Sequence, residues 1–288
     1  MFNFLKYRFV AITASLITLA FFMFLYFQKG GLNYSVEFTG GTQALLKFEQ
    51  PVDGKKILEQ VRKEWSGAVT RDFSDTQVLV RVQEHQGDAR GLADRIREHV
   101  QTFNESNPIV IESSEVVGPG VGEELRWKSL TTLFLAILLM LLYIAFRFWS
   151  ISFAAGAVAA LLHDALMILG FMLLFGREIS ISVIAAILMV IGYSINDTIV
   201  IFSRMRENFK KMSSASVAEV VNTSLNQTFK RTVLTSFSTF LVVGVLFLLG
   251  GEILRDLSLV LLMGIFFGTY SSIYIASPVM MLLYKKEK

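Results

Sequence analysis

The chain has no cysteine, only three histidines, and little charge of either sign. Without cysteine there are no disulfides and no thiolate nucleophile or ligand, although this leaves the compartment open. Charged residues make up 18% of the 288 positions, against 53% hydrophobic, and mean hydropathy is +0.54. A soluble domain of this length needs more charge to cover its surface, so the composition selects a membrane protein. A net charge of +3 is too small to argue for a nucleic-acid partner, so the basic residues are read by their position along the chain.

Residues 9–27, 130–146, 151–175, 179–203, 232–250 and 257–284 form six runs, each long enough to cross about 30 Å of hydrocarbon. Lys6 and Arg8 precede the first run as in a signal peptide, yet QKGGLN after it lacks a small-x-small cleavage site, so an uncleaved anchor is expected. Arg147 lies between runs two and three, and Arg204, Arg206, Lys210, Lys211, Lys230 and Arg231 lie between four and five. Lys285, Lys286 and Lys288 follow the last run. The alternate connections, GRE at 176–178 and GGEILRD at 250–256, are short and nearly balanced. The positive-inside rule therefore places both termini in the cytoplasm and residues 30–126 outside.

Segment 30–126 is the one charge-rich stretch. TQALLKF, AVTRDF, TQVLVRVQ and PIVIESSEVV read as strands. VDGKKILEQVRKEW, capped near Asp53, and DARGLADRIREHVQTFN read as amphipathic helices. The order βαββαβ predicts a ferredoxin-like plait. The expected fold is thus a polytopic α-helical membrane protein of six transmembrane helices with one ferredoxin-like α+β extracytoplasmic domain. Its divisions are 1–29 (tail and first span), 30–126 (outer domain) and 127–288 (five spans, with an amphipathic segment at 204–231). His85 and His99 are isolated, and the acids sit at surface spacing beside Arg and Lys, so solvated faces or a docking surface fit better than catalysis. In VEFTGGT (36–42), Gly40-Gly41 permits a tight turn or a close backbone approach, and GPGVG (118–122) reads as a hinge or a spacer.

Polar residues inside the runs are few and patterned. The third carries His163-Asp164 on a face with Gly156 and Ala160; the fourth carries Tyr193, Ser194, Asn196, Asp197 and Thr198. Thr228, Arg231, Thr235 and Thr239 recur at helical spacing and predict one polar stripe. Gly264 and Gly268, followed by Ser271 and Ser272, form a GxxxG pattern that predicts close packing against another span. An ionised aspartate at membrane depth costs about 2.5–3.5 kcal/mol, so Asp197 needs a partner cation or a use for its proton. Arg231 is the expected partner and Arg204 a second candidate. One reading is a structural ion pair that fixes helix register. The other is a proton carrier whose neutralisation releases Arg231 and permits a helix shift. Asp164 with His163 reads either as a relay or as hydrogen-bonded packing. Ser216-Val-Ala-Glu219 fits a capping box, and Val217, Val220, Val221, Leu225 and Phe229 form an apolar stripe, which together predict a short helix on the membrane surface.

VEFTGGT, GYSINDTIVIFSRMREN, SLNQTFKRTVLTS and GTYSSIYIASP resemble, in order and over essentially the whole chain, the SecF family. That family comprises accessory subunits of the bacterial Sec protein-export machinery within the proton-driven RND superfamily. The resemblance implies pairing with a SecD-like subunit beside the SecYEG translocon, with YajC as a further candidate. It also implies an unfolded preprotein as substrate, the bacterial inner membrane as location, and protons as coupling ion with no cofactor or metal. It maps the proton pathway onto Asp197 and Arg231, flanked by Asn196 and Thr198 as in the family motif, and the outer-domain motif onto Glu37, Phe38, Thr39, Gly40 and Gly41; His163, Asp164 and Thr235 are candidates for relay or support from the reading of the residues alone. The family usually has Asp where this chain has Glu37, and often an acid where it has Ser203, which puts in doubt a relay reaching the cytoplasmic edge. Two readings compete with a proton-driven subunit. One is a non-conducting scaffold; the other is an intramembrane aspartyl protease using Asp164 and Asp197, although GxGD is absent.

Overall fold

The computed structural model describes residues 1–82 and 91–284. His85, the expected helix start at 88–90, and Lys285, Lys286 and Lys288 lie outside the described residues. The chain divides into two compact units: Met1–Asn33 with the chain from Thr131 on, and Tyr34–Leu130. After a short 3-10 turn, α1 runs over Arg8–Lys29 and α2 is a single turn, Val36–Thr39. Then follow β1 (Gly41–Phe48), α3 (Gly54–Arg62), β2 (Val69–Ser74), β3 (Gln77–Val82), α4 (Leu92–Phe103) and β4 (Ile109–Val117). The remaining elements are α5 (Pro119–Phe148), α6 (Ile151–Leu174), α7 (Ile181–Lys211), α8 (Val217–Leu249) and α9 (Gly251–Ser271). A π turn at Ser272–Ala276 leads into α10 (Ser277–Leu283).

In the unit Tyr34–Leu130 the strands lie in the order β2-β3-β1-β4, every pair antiparallel, which is the ferredoxin-like arrangement the sequence predicts. Alternation explains the core. Ala44, Leu46 and Phe48 of β1 and Val78, Val80 and Val82 of β3 point to the face where Ile57 and Val61 of α3 and Ile96 and Val100 of α4 are buried. The Asp53 side chain caps α3 by accepting from the Lys55 amide at 2.9 Å. Gly40 and Gly41 both take positive φ, 73° and 123°, which lets the chain turn from α2 straight into β1.

GPGVG proves to be neither hinge nor spacer. Pro119 opens α5, where its missing N–H costs nothing, and Gly122 is buried against the glycine pair. A Cβ on Gly122 would lie 2.9 Å from the Gly40 nitrogen and 3.0 Å from the Phe38 oxygen, so the motif Glu37, Phe38, Thr39, Gly40 and Gly41 packs backbone to backbone on the first turns of α5.

The other unit contains the helices. Six stretches are long and apolar enough to cross a membrane: Phe4–Lys29, Gly120–Phe148, Ile151–Leu174, Ile181–Lys211, Val217–Leu249 and Leu254–Leu283. The third, fourth and sixth are about half buried within the chain, whereas the first, second and fifth are largely exposed. Small residues govern the interior contacts. A Cβ on Gly264 would meet Val190 at 2.1 Å, and one on Gly268 would meet Ser194 at 2.9 Å, so α9 lies directly on α7. Gly156 of α6 likewise faces the Ala276 carbonyl in the π turn, where a Cβ would sit at 2.5 Å. Pro278 lacks the N–H that an α-helix would aim at residue 274, and the wider turn absorbs the mismatch. The connections that flank the bundle at one end are tied by Arg177 and Asp256 at 3.1 Å.

The expected surface helix at 204–231 is absent. Instead α7 and α8 continue past the apolar runs, at 31 and 33 residues, and turn sharply at 212–216. At 1.5 Å per residue these helices reach roughly 46 and 50 Å, beyond a hydrocarbon layer of about 30 Å. Val220, Val221 and Leu225 are buried within the hairpin, not laid on lipid, and Asn208 of α7 bonds Ser224 and Gln227 of α8, both at 2.8 Å. The Ser216 hydroxyl does cap α8, accepting from the Glu219 amide at 3.2 Å.

Two predictions follow from this packing. Gly264→Ala drives a methyl into Val190 and is expected to lower bundle stability by about 1–3 kcal/mol, with Val190→Ala restoring most of it, as measured by thermal unfolding of the purified chain. In the ferredoxin-like unit, burial and then the charge of Glu37 raise the Glu115 carboxyl above its ordinary value. The folded chain therefore binds that proton more tightly than the unfolded one. Its stabilisation is complete below the unfolded value of about 4.3 and is lost as pH rises through the folded one. Hydrogen exchange of the β1–β4 amides is expected to quicken over that rise, and Glu115→Gln to flatten the dependence.

Candidate functional site

Three helices converge on Asp197, which α7 places in the bundle interior at 5% exposure. Ser236 of α8 lies with its hydroxyl 3.2 Å from Asp197 Oδ2 and 2.6 Å from Thr269 Oγ1 of α9. Thr269 in turn donates to the Ile265 carbonyl at 2.9 Å. Ser236 donates to Asp197 Oδ2 and shares with Thr269 a hydrogen bond in which either hydroxyl can be the donor, so one hydroxyl of α8 links the carboxyl of α7 to α9.

The expected polar stripe has the wrong phase. Thr228, Thr232 and Ser236 face inward, whereas Arg231 and Thr235 are exposed on the bundle's flank. Among the described residues no ion pair within 4.0 Å joins the exposed Arg231 to Asp197. Arg204 bonds Glu207 and Gln227, each at 2.7 Å, and so is not the partner either. Asn196 points out of the bundle, while Thr198 is buried and shares a 2.8 Å hydrogen bond with Ser272 in the π turn. Thr232 Oγ1, one turn before Ser236, is buried without a hydrogen-bond partner among the described residues.

Asp164 sits in a second, separate network. It is fully buried, and its Oδ2 accepts from Ser194 at 2.7 Å and Ser271 at 2.9 Å. His163 Nδ1 lies 3.1 Å from Oδ1, and His163 Nε2 lies 3.1 Å from Ser15 of α1. Directions propagate along this chain. Tyr270 donates to the Ala11 carbonyl at 2.7 Å, so Ser15 donates to Tyr270 at 3.0 Å and Nε2 donates to Ser15. His163 thereby bridges Ser15 of α1 and Asp164 of α6. The two carboxyls bond different hydroxyls, with no hydrogen bond between them among the described residues. This is not the shared-proton geometry an aspartyl protease needs.

Ser236, Thr269, Ser15 and Tyr270 escaped the sequence reading as site residues. For Ser236 a signal existed, since Thr228, Thr232 and Ser236 repeat every four residues beside the stripe that was read. For Ser15 there was none.

Six helices long and apolar enough to cross a membrane, together with a small ferredoxin-like domain, define a polytopic membrane protein, and the comparisons supply the family. The family described as Protein export membrane protein SecD/SecF, C-terminal, matches residues 94–286, and the SecD/SecF GG Motif matches residues 29–52. Protein translocase subunit SecF of Pseudomonas aeruginosa is 41% identical, with 98% of this chain and 91% of that one covered. SecF of Calditerrivibrio nitroreducens is 38% identical over 92% and 88%. The crystal structure of SecDF, a translocon-associated membrane protein from Thermus thermophilus, superposes with a TM-score of 0.86 at 38% identity, covering 96% of this chain and 38% of that longer one. The chain belongs to the SecD/SecF family of protein export membrane proteins, as its motifs suggested.

Replacing Asp164 with Ala strands the hydroxyl of Ser194 and one nitrogen of His163, while Ser271 keeps the Gly268 carbonyl at 3.2 Å. A loss of about 1–3 kcal/mol for each donor left unpaired is expected, readable as a lowered Tm of the purified chain. Asp164→Asn, which keeps an acceptor oxygen, is expected to cost less.

Proposed function

We propose that this protein translocase subunit couples the proton-motive force to late steps of preprotein export across the bacterial inner membrane, with Asp197 as the proton-bearing group. The observation that supports the reading is the Ser236 hydroxyl, which donates to Asp197 and also bonds Thr269, and so ties the carboxyl of α7 to α9. On this reading, protonation of the carboxyl redirects the Ser236 hydrogen, and with it the link between α8 and α9. Arg231 sets the electrostatic background from the exposed flank of α8, and the proton is the coupling ion; no enzymatic step or cofactor enters.

The exposed polar face of α8, with Arg231 and Thr235, supports a partner. A guanidinium on a membrane helix calls for a second polar surface, which a SecD-like subunit would supply. The relative named SecDF, in which a segment like this one is 39% of a longer chain, favours that pairing. The SecYEG channel, YajC and an unfolded preprotein complete the proposed assembly, with both termini cytoplasmic and the ferredoxin-like domain outside. In a scaffold reading the charge state of Asp197 is irrelevant.

The test is Asp197→Asn reconstituted with the partner subunit and translocon. Asparagine is expected to hold the arrangement of the protonated state, so gradient-dependent export falls to the no-gradient level while assembly with the partner persists. Full export by Asp197→Asn would favour the scaffold. Ser236→Ala, which leaves the carboxyl but removes the redirected hydrogen, is expected to weaken the response to the gradient.

A further inference from the structure

At the end of the bundle where α5 meets α6, the chain passes through Trp149 in the left-handed region, with φ of 50°. This conformation is costly for a bulky residue and persists where the surroundings impose it. Its effect is to hold the indole outward at 78% exposure. Beside it opens a cavity of about 660 Å³ lined by Trp149, Ser150, Ser152, Arg206, Lys210 and Tyr284, among others. A second opening of about 320 Å³ shares Arg206 and Lys210 and adds Arg147.

The charge in this place is one-sided. Arg147, Arg206 and Lys210 supply three cations, and the acid on the rim, Glu207, is held by Arg204 at 2.7 Å. Arg206 reaches across to the Arg147 carbonyl at 3.2 Å, which anchors its guanidinium over the cavity. The walls are aromatic: Phe209 stacks on Tyr284 at 4.4 Å between ring centres, and Phe148 on Phe153 at 5.2 Å. Of the lining residues, Trp149 and Leu283 are also exposed, Leu283 at 52%, so the cavity carries apolar surface beside its cations.

We infer that this cavity binds the phosphate headgroup of an anionic phospholipid. The cations match a phosphodiester, and the volume lies within the range of small-ligand sites. The exposed Trp149 stands where an indole favours the boundary between headgroups and chains. This apolar surface decides between a lipid and free phosphate, because a free anion gains nothing from Trp149 and Leu283 whereas acyl chains cover them. The inference rests on the chain spanning a membrane and is independent of whether Asp197 carries protons.

Native mass spectrometry of the purified full chain, exposed to equal amounts of phosphatidylglycerol and phosphatidylcholine, tests it. The chain is expected to retain phosphatidylglycerol preferentially, and Arg206→Gln with Lys210→Gln to reduce that preference by about 10- to 30-fold. Lys210→Gln alone, at an exposed position, is expected to lose roughly fivefold without a question of folding. Lys55→Gln with Lys56→Gln, the same charge loss in the ferredoxin-like domain, is expected to leave the preference intact. Equal retention of the two lipids, or a preference that survives the double substitution in the cavity, overturns the site. So does complete competition by inorganic phosphate, which would assign the cavity to the free anion.

Discussion

Because Gly264 and Gly268 carry no side chain, α9 lies against Val190 and Ser194 of α7 with no room for so much as a methyl group. That approach sets the chemistry of the interior. It brings Ser271 and Thr269 of α9 within reach of acids on α6 and of Ser236 on α8, so hydroxyls can do the work water does outside. A small side chain at 264 or 268 is therefore a condition for burying the carboxyls at all: a wider gap would leave Asp164 short of one of its donors, at a cost of about 1–3 kcal/mol. The π turn at Ser272–Ala276 belongs to the same device, since it turns Ser272 toward Thr198 while Pro278 prevents an ordinary helical register.

The two buried acids meet this constraint differently. Asp164 is fully supplied, with two hydroxyl donors and an imidazole, and its network extends through Ser15 to Tyr270 and the backbone of α1. Such a network specifies one packing and gives little reason to rearrange. Asp197 is undersupplied. Its one hydroxyl neighbour is also claimed by Thr269, and Arg231 stands off on the exposed flank. Asp197 thus has fewer hydroxyl neighbours than Asp164 among the described residues.

Much of this was legible in the residues and some was not, for physical reasons. The ferredoxin-like domain declared itself through period-two strands and capped helices, and its antiparallel order followed from βαββαβ. The GxxxG face was legible because glycine at that spacing has little other use in a membrane helix. Phase was not legible on α8: Thr228, Thr232 and Ser236 and the stripe through Arg231 and Thr235 are both helical repeats, and only the neighbouring helices decide which turns inward. The 204–231 segment misled for a related reason. An amphipathic stripe looks the same whether it covers lipid or the opposing arm of a hairpin, and Asn208 bonding to Ser224 and Gln227 settles it here for the hairpin. The hinge at GPGVG was misread because glycine serves both freedom and closeness. At Gly122 it serves closeness, against the Gly40 backbone.

Magnitudes limit what the Ser236 hydrogen does on the proton-carrier reading. Turning it from Thr269 to a carboxylate exchanges a neutral hydrogen bond for a charge-assisted one, a difference of about 1–2 kcal/mol. That suffices to tilt a two-state helix contact by roughly tenfold, and no more. One elementary charge moved through 100 mV is worth about 2.3 kcal/mol. The energy of any stroke must therefore come from the passage of the proton through the field, with the hydroxyl deciding only which helix contact the charge state favours. A gate of that size is compatible with a bundle whose other acid, Asp164, holds the remaining helices in register while α8 responds.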